Sequence, residues 1–233
     1  QVEPRIEQAS GDARPLDAIL IQAGVDVERN YWKCMEQSGF DRPAVQFLNR
    51  AFALSLFIHA GQPRGSGRNI IAYIVHPMTA IRLFIEESNA VEVIFDRQSV
   101  LNNLATIWLH DVIEDGRRGR WGKSWLDKFG KGYKAEGVLR QVIAELIEEM
   151  LNRQIRAYVE DLSKPVKPKK HQNKRLWGKL SRRPFEVQLA KVMEFAANLT
   201  DLINHRNPLQ FMAERFEPFI TFLGKSRLNL SAK

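Results

Sequence analysis

Cysteine is almost absent from this chain of 233 residues, and long apolar runs are absent altogether. The one cysteine, Cys34, leaves no partner for an internal disulfide, which excludes the disulfide-stabilised class of secreted domains and favours a reducing compartment. No run of eighteen apolar residues exists, and residues 1–8 lack the apolar core of a signal peptide. We therefore expect a soluble, cytoplasmic protein with no membrane partner.

Alternation of apolar and polar residues, the pattern of a half-buried strand, is equally scarce, and helical spacing dominates instead. We predict helices over residues 43–60, 77–87, 98–115, 124–129, 136–162, 184–204 and 208–223. The glycine- and proline-rich stretch 61–67 indicates a loop. Since 44% of the residues are hydrophobic, the chain can bury a sizeable core. The sequence predicts an all-α fold with an N-terminal helical extension, residues 1–40, and a main domain, residues 41–233.

The most informative segment is 105–115, ATIWLHDVIED, where an apolar run ends in two pairs of polar residues. Residues four apart share a helix face, so His110 is expected above Glu114 and Asp111 above Asp115. Imidazole and carboxylate groups directed into one cavity are typical of a divalent-metal site that activates water. One helix offers too few ligands, so further ligands must come from elsewhere.

Two other segments offer such groups. His76 precedes Pro77, which suits the first turn of a helix, and His205 follows Asp201 by one helical turn. Taken alone, His76 is more typical of a structural histidine and Asp201 of a surface carboxylate. The apolar residues that precede Asp201 favour a buried acid that needs a partner. Three separated segments thus supply what a metal site in a helical bundle requires. For His59, at the end of a helix, a structural role is favoured over ligation.

Taken in order, five segments resemble the hydrolase half of the RelA/SpoT alarmone enzymes: 59–67 (HAGQPRGSG), 73–77 (YIVHP), 109–115 (LHDVIED), 159–165 (VEDLSKP) and 199–204 (LTDLIN). Those enzymes are HD-domain phosphohydrolases that remove pyrophosphate from (p)ppGpp. The resemblance covers about residues 51–209. It depends on the ordered combination, because a bare His-Asp pair occurs by chance in many helices. The chain is too short for a synthetase half, so we expect a small, stand-alone alarmone hydrolase.

The resemblance implies an HD-domain helical bundle with a metal site in its core and a Mn²⁺-dependent reaction that leaves GDP or GTP. The implied metal ligands are His76, His110, Asp111 and Asp201. Glu114 and Asp115 would orient and deprotonate the attacking water. Imidazole with hard carboxylate oxygens suits Mn²⁺ better than the thiolate-rich sets of structural zinc sites do.

The same resemblance implies a nucleotide-binding set. Arg64 and Ser66 would hold the nucleotide or its phosphates, with Tyr73 close to the base or ribose. A guanidinium group pairs with phosphate oxygens through a bidentate fork, which agrees with that role for Arg64. His205 occupies the position where the family has an asparagine near the substrate.

The chain departs from the family pattern in the link from Ser66 to His76, which is longer, and near the last motif. Asn198 stands at a lysine position, and the final pair is swapped as Asn204-His205. Two alternatives therefore stay open. One is an HD phosphohydrolase that acts on a different nucleotide. The other is a nucleotide-binding protein that has kept the pocket, has lost activity and works with a partner protein.

The formal net charge is +8, and much of the excess is local. Residues 164–175 hold five lysines and one arginine, and we expect a solvated, basic inserted loop near 164–184. Arg117 and Arg118 follow the acidic pair and are either solvated or part of an electrostatic funnel for a polyphosphate substrate. Nucleic acid ranks lowest as a partner, because the chain has no recognisable reading motif.

Overall fold

The structure is a computed structural model that describes residues 16–64, 71–88, 96–164, 172–200, 216 and 218–224. These residues form helices α1 (Leu16–Gln37), α2 (Arg42–His59), α3 (Val75–Ser88), α4 (Arg97–Leu109), α5 (Val112–Asp115), α6 (Arg120–Phe129), α7 (Tyr133–Met150), α8 (Arg153–Leu162), α9 (Gln172–Leu180) and α10 (Phe185–Thr200). Residues 218–223 are also helical. Two short antiparallel strands, β1 (Pro63–Arg64) and β2 (Ile71–Ala72), complete the described elements. The predicted all-α fold is confirmed.

Helix α4 lies at the centre of the fold. It begins after Asp96, whose side chain accepts a hydrogen bond from the backbone N–H of Ser99 at 2.9 Å and so caps the helix. Every residue from position 101 to 109 is buried, because α2, α3, α8 and α10 pack around the helix. Trp108 fills the centre of this contact, with its ring 5.0 Å from that of Phe52. This packing fixes the position of His110, which directly follows the last residue of α4.

Helix α1 shares the core of the main domain. Val27, Tyr31 and Met35 are buried in the same apolar cluster as α2 and α4. The ring of Tyr31 stacks on that of Phe52 at 4.3 Å, and its hydroxyl donates to Asn49 at 2.5 Å. The predicted N-terminal extension is helical from Leu16 to Gln37, and this helix packs into the core.

The prediction of one continuous helix over 98–115 is wrong. Helix α4 ends at Leu109, and Asp111 has φ −107° and ψ −5°, in the bridge region between helix and strand. The single turn α5 follows, and then a 3-10 turn at Gly116–Arg118. Apolar spacing continues across the break, so periodicity alone cannot reveal it.

The prediction of one helix over 136–162 is also wrong. Helix α7 ends at Met150, and Asn152 begins α8 by accepting a hydrogen bond from the N–H of Ile155 at 2.9 Å. A side chain that caps a new helix competes with continuation of the old one. The chain therefore turns at residues 151–152, and α8 packs back against α7.

The basic segment near 164–184 is not a loop throughout. Residues 172–180 form α9, and Leu176, Trp177 and Leu180 are buried at helical spacing. The ring of Trp177 lies 5.0 Å from that of Phe222, so the segment adds to the core. The strongly basic residues 165–171 lie outside the described residues.

The predicted loop 61–67 begins as a hairpin arm. Strands β1 and β2 pair Pro63 with Ala72 and Arg64 with Ile71, and Ser66 lies outside the described residues. The N–H of Tyr73 donates to the carbonyl of Gln62 at 2.9 Å, which extends the pairing. The hairpin thereby brings Arg64 and Tyr73 to the start of α3. In the described part of the chain, no helix has the length and apolarity needed to cross a membrane.

Candidate metal centre

Three potential metal ligands converge at the meeting point of α3 and α4. His76 lies in the first turn of α3, and His110 and Asp111 lie at the break between α4 and α5. One ligand atom from each of the three lies within 4.8 Å of the other two. His76 and His110 are 1% and 2% exposed, whereas the side chain of Asp111 is 19% exposed, so the cluster opens to solvent on the Asp111 side. The structure thus brings together three of the four predicted ligands, while Asp201 lies outside the described residues.

The hydrogen bonding of His110 fixes which ring nitrogen faces the cluster. Its Nδ1 lies 2.7 Å from the carbonyl oxygen of Ile107, and a carbonyl can only accept, so Nδ1 carries a proton. Its Nε2 lies 3.0 Å from Asp111 Oδ2 without the alignment of a hydrogen bond. Burial opposes a charge on His110, but the neighbouring Asp111 carboxylate outweighs burial and raises the pKa of His110. Two electron-pair donors at this distance repel unless a proton or a cation lies between them, so a bound cation would take the place of that proton. A backbone carbonyl that orients a metal-ligating imidazole is a common arrangement.

His76 completes the test of whether a cation fits. Its Nδ1 is buried and has no hydrogen-bond partner among the described residues, and the His76 and His110 rings lie 5.1 Å apart. Burial, helped by the nearby charge of Arg64, holds the pKa of His76 well below its usual range. A neutral imidazole with an unused lone pair is the form that binds metal. The three residues therefore fit a divalent cation, and the donor set does not determine which one.

Asp111 is ionised in this setting. Burial opposes its charge, but the neighbouring His110 and the hydrogen bond from the hydroxyl of Tyr73 outweigh burial and hold the pKa of Asp111 well below its usual range. A charged carboxylate beside two imidazoles gives the cluster the negative charge that a divalent cation requires.

Tyr73 connects the cluster to the next acid. Its hydroxyl donates to Asp111 and also lies 3.0 Å from Asp115 Oδ2. One hydroxyl proton serves one acceptor at a time. Burial and the neighbouring charge of Asp111 raise the pKa of Asp115. Tyr73 is 5% exposed, and its predicted contact with a base or ribose stays a prediction.

Glu114 has different surroundings from Asp115. The ammonium group of Lys164 lies 2.8 Å from Glu114 Oε1, and the backbone N–H of Lys164 lies 3.3 Å from Oε2. Arg140 donates to the backbone carbonyls of Glu114 and Lys164 and so bridges these two residues. The sequence did not single out Lys164 as a partner of the acidic pair, since 50 residues separate it from Glu114.

Arg64 lies on the other side of Tyr73. Its guanidinium carbon is 5.4 Å from the centre of the Tyr73 ring, and its Nη2 donates to Asn198 Oδ1 at 2.7 Å. Asn198 belongs to the last turn of α10, which also carries the buried ion pair of Lys191 and Glu194. Sequence reasoning missed that pair. The sequence signal that could have revealed the pair is two opposite charges three residues apart in an otherwise apolar helical segment.

His59 supports the site from behind. Its ring stacks on that of Tyr73 at 4.5 Å, and its Nδ1 lies 2.9 Å from Gln62 Oε1. Burial lowers the pKa of His59 to about 4. These contacts agree with the structural role predicted for it.

The remaining predicted residues divide into two groups. Arg118 pairs with Asp115 at 3.2 Å and Arg117 with Glu136 at 3.3 Å, so both arginines have carboxylate partners. Ser66 and His205 lie outside the described residues. No protein-family model, no curated protein and no solved structure matches this chain.

Proposed function

We propose that this protein is a divalent-metal-dependent phosphohydrolase of the HD type, and that Mn²⁺ is its metal. The proposed substrate is (p)ppGpp, from which the enzyme releases the 3′ pyrophosphate and leaves GDP or GTP. The observation that carries the proposal is the cluster of the buried His76 and His110 with the partly exposed Asp111, in which two imidazole nitrogens have no described hydrogen-bond partner. When bound there, a divalent cation supplies positive charge that makes water a better nucleophile and stabilises charge on a phosphoryl oxygen.

The protein's own residues supply the proton handling. Tyr73 and Asp115 form a hydrogen-bonded pair next to Asp111, and the raised pKa of Asp115 suits a group that holds a proton. Glu114 lies next in sequence and is held by Lys164, which keeps its carboxylate in a fixed orientation. In this proposal Glu114 accepts the proton of the attacking water, and Asp115 holds a proton that it can donate.

The arrangement of positive charge supports a substrate with several phosphate groups. Arg64 packs against the ring of Tyr73, and Arg118 pairs with Asp115, so guanidinium groups border this acidic site from two elements. In our proposal Arg64 binds one pyrophosphate and Arg118 exchanges its carboxylate partner for another. A nucleotide with pyrophosphate on both ribose positions fits two such groups better than a simple triphosphate does.

One observation favours a second candidate, a nucleotide-binding protein with weak or no hydrolysis. Both carboxylate oxygens of Glu114 are engaged by Lys164, so the acid is less available to water. Under this alternative the protein binds the same nucleotide in the presence of metal and does not turn it over.

The test is a panel of nucleotides incubated with purified protein and Mn²⁺, with the products resolved by chromatography. The panel contains ppGpp, pppGpp, GTP and the four dNTPs, with a chelator and Asp111→Ala as controls. We expect GDP and GTP to form from ppGpp and pppGpp with intact pyrophosphate, and only with metal and with Asp111. Hydrolysis of the dNTPs but not of ppGpp or pppGpp would show that the substrate is another nucleotide and not the alarmone. Metal-dependent binding of ppGpp without any product would favour the second candidate.

A further inference from the structure

Asn198 makes a contact that spans the fold. Its Oδ1 accepts a hydrogen bond from Arg64 Nη2 at 2.7 Å, although 134 residues separate the two in sequence. Asn198 lies in the last turn of α10, whereas Arg64 belongs to β1. A short hydrogen bond to a charged donor between two separate elements is a specific tether, because charged hydrogen bonds are roughly twice as strong as neutral ones.

The orientation of the Asn198 amide is fixed by its own helix. Its Nδ2 donates to the backbone carbonyl of Glu194 at 2.9 Å, so the NH₂ group points along α10 and the oxygen points to Arg64. Glu194 is in turn buried and paired with Lys191. The acceptor presented to Arg64 is therefore held by a helix that packs directly against α3 and α4.

Arg64 is thereby held between a rigid acceptor and an aromatic ring. With Nη2 on Asn198, the guanidinium plane lies near the Tyr73 ring, whose hydroxyl contacts Asp111 and Asp115. An unrestrained arginine loses much rotamer freedom when it binds a phosphate, and a pre-oriented one loses less. Pre-orientation of a binding group increases affinity without any new contact to the ligand.

We infer that Asn198 is a positioning residue, which holds Arg64 in the orientation that binds a pyrophosphate group of the substrate. The inference rests on the proposed function, since it assigns Arg64 to substrate phosphates. Asn198 itself touches no substrate in this assignment. Its removal weakens phosphate binding through Arg64 alone and leaves the metal ligands intact.

The chain offers a matched control for this asparagine. Asn103 on α4 also donates its Nδ2 to the carbonyl four residues earlier, that of Ser99, at 3.0 Å. Its Oδ1 is buried and has no hydrogen-bond partner among the described residues. Asn103→Leu therefore reports the general cost of this substitution in a packed helix, without the loss of an arginine tether.

The experiment measures binding of inorganic pyrophosphate to the Mn²⁺-loaded protein by calorimetry. We expect Asn198→Leu to weaken binding about tenfold, in line with loss of one charged hydrogen bond. Asn103→Leu should stay close to wild type. Metal content should be unchanged in both variants. With a turned-over nucleotide, Asn198→Leu should raise KM and leave kcat nearly unchanged.

A double-mutant cycle with Arg64→Ala separates positioning from a merely structural role. Once Arg64 is absent, Asn198→Leu should cause no further loss of pyrophosphate binding. An equal loss in both backgrounds, no loss from Asn198→Leu, or absence of pyrophosphate binding by the wild type would overturn the inference. If the coupling appears but the wild type leaves (p)ppGpp intact, the positioning role stands and the proposed hydrolysis of (p)ppGpp is wrong.

Discussion

Glu114 and Asp115 are neighbours in the chain, but their surroundings make them chemically different. Asp115 faces the Tyr73 hydroxyl, and burial and the Asp111 charge raise its pKa. Glu114 faces the ammonium group of Lys164 at 2.8 Å. Two carboxyl groups with different environments can take different roles in acid–base chemistry. In the proposed reaction Glu114 is the base and Asp115 holds the proton.

This assignment predicts the effect of Glu114→Gln. The amide keeps the size of the side chain but cannot accept the proton of water. We expect metal content and nucleotide affinity to stay near wild type while turnover falls by ~10²–10⁴-fold, the usual contribution of a general acid or base. Single-turnover kinetics would measure this fall in the rate of hydrolysis. Glu148→Gln, which removes a carboxylate from an ion pair with Arg156, is the control and should leave turnover unchanged.

A Glu114→Gln protein with wild-type turnover would mean that the ion pair with Lys164 is structural only and that another group activates the water.

His59 predicts a pH dependence of stability. Its pKa is lowered by burial from 6.5 to about 4, so between these values the unfolded chain binds a proton that the folded protein does not. The contribution of neutral His59 to the free energy of unfolding is complete above the pKa that His59 has in the unfolded chain. It is lost as the pH falls towards the pKa of the folded state, at about 1.4 kcal/mol per pH unit. Denaturant unfolding with a chelator present, at pH 7.5 and at pH 5, measures this effect. The free energy of unfolding should fall less between the two pH values for His59→Asn than for the wild type. Equal slopes for the two proteins would show that His59 is charged when folded.

The sequence allowed part of the site to be predicted. Imidazole and carboxylate groups beside apolar helices, together with the resemblance to the RelA/SpoT hydrolases, predict His76, His110 and Asp111 as ligands. Asn198 and Lys164 act through contacts with residues 134 and 50 positions away, and no local pattern reports such pairing. Their roles depend on how the helices pack.

At the scale of elements, the break between α4 and α5 determines the direction of the ligands. A continuous helix would place His110 over Glu114, but the bridge-region backbone at Asp111 turns its carboxylate towards Tyr73 and His110. The positions of most helices followed from apolar spacing. The two missed interruptions occur where the spacing continues and side-chain or backbone geometry ends the helix.

Glycine at the start of α6 is predicted to be required by close packing. A Cβ at Gly122 would lie 2.1 Å from the backbone oxygen of Gly116, which cannot move aside without shifting the 3-10 turn. Gly122→Ala should therefore lower the free energy of unfolding by about 1–3 kcal/mol or more. Gly137, inside α7, has open space within 4 Å of the position that an alanine methyl group would take, so Gly137→Ala should raise it by about 0.5–1 kcal/mol.

Denaturant midpoints of the two alanine variants test this contrast directly. A Gly122→Ala protein as stable as the wild type would show that α6 can move away from the 3-10 turn that contains Arg117 and Arg118.

At the scale of the whole molecule, one apolar core runs through the described residues. It extends from Tyr31 on α1 through Trp108 on α4 to Phe195 on α10 and Phe222 near the end of the described chain. The ligand cluster lies at the edge of this core, where α3 and α4 meet. The helical class and the presence of a core could be predicted from composition and spacing. The packing of α1 and α9 against this core could not be predicted, because the apolar residues of each helix do not indicate which element they contact.

The central claim is that His76, His110 and Asp111 hold a divalent ion, and elemental analysis tests it most directly. Wild type, Asp111→Ala and Asp161→Ala are loaded with Mn²⁺ and desalted. Asp161 is a matched control, since its carboxylate pairs with Lys179 and Arg183 instead of imidazoles. We predict roughly one Mn²⁺ per chain in wild type and Asp161→Ala, and none in Asp111→Ala. Equal metal content in wild type and Asp111→Ala would contradict the claim.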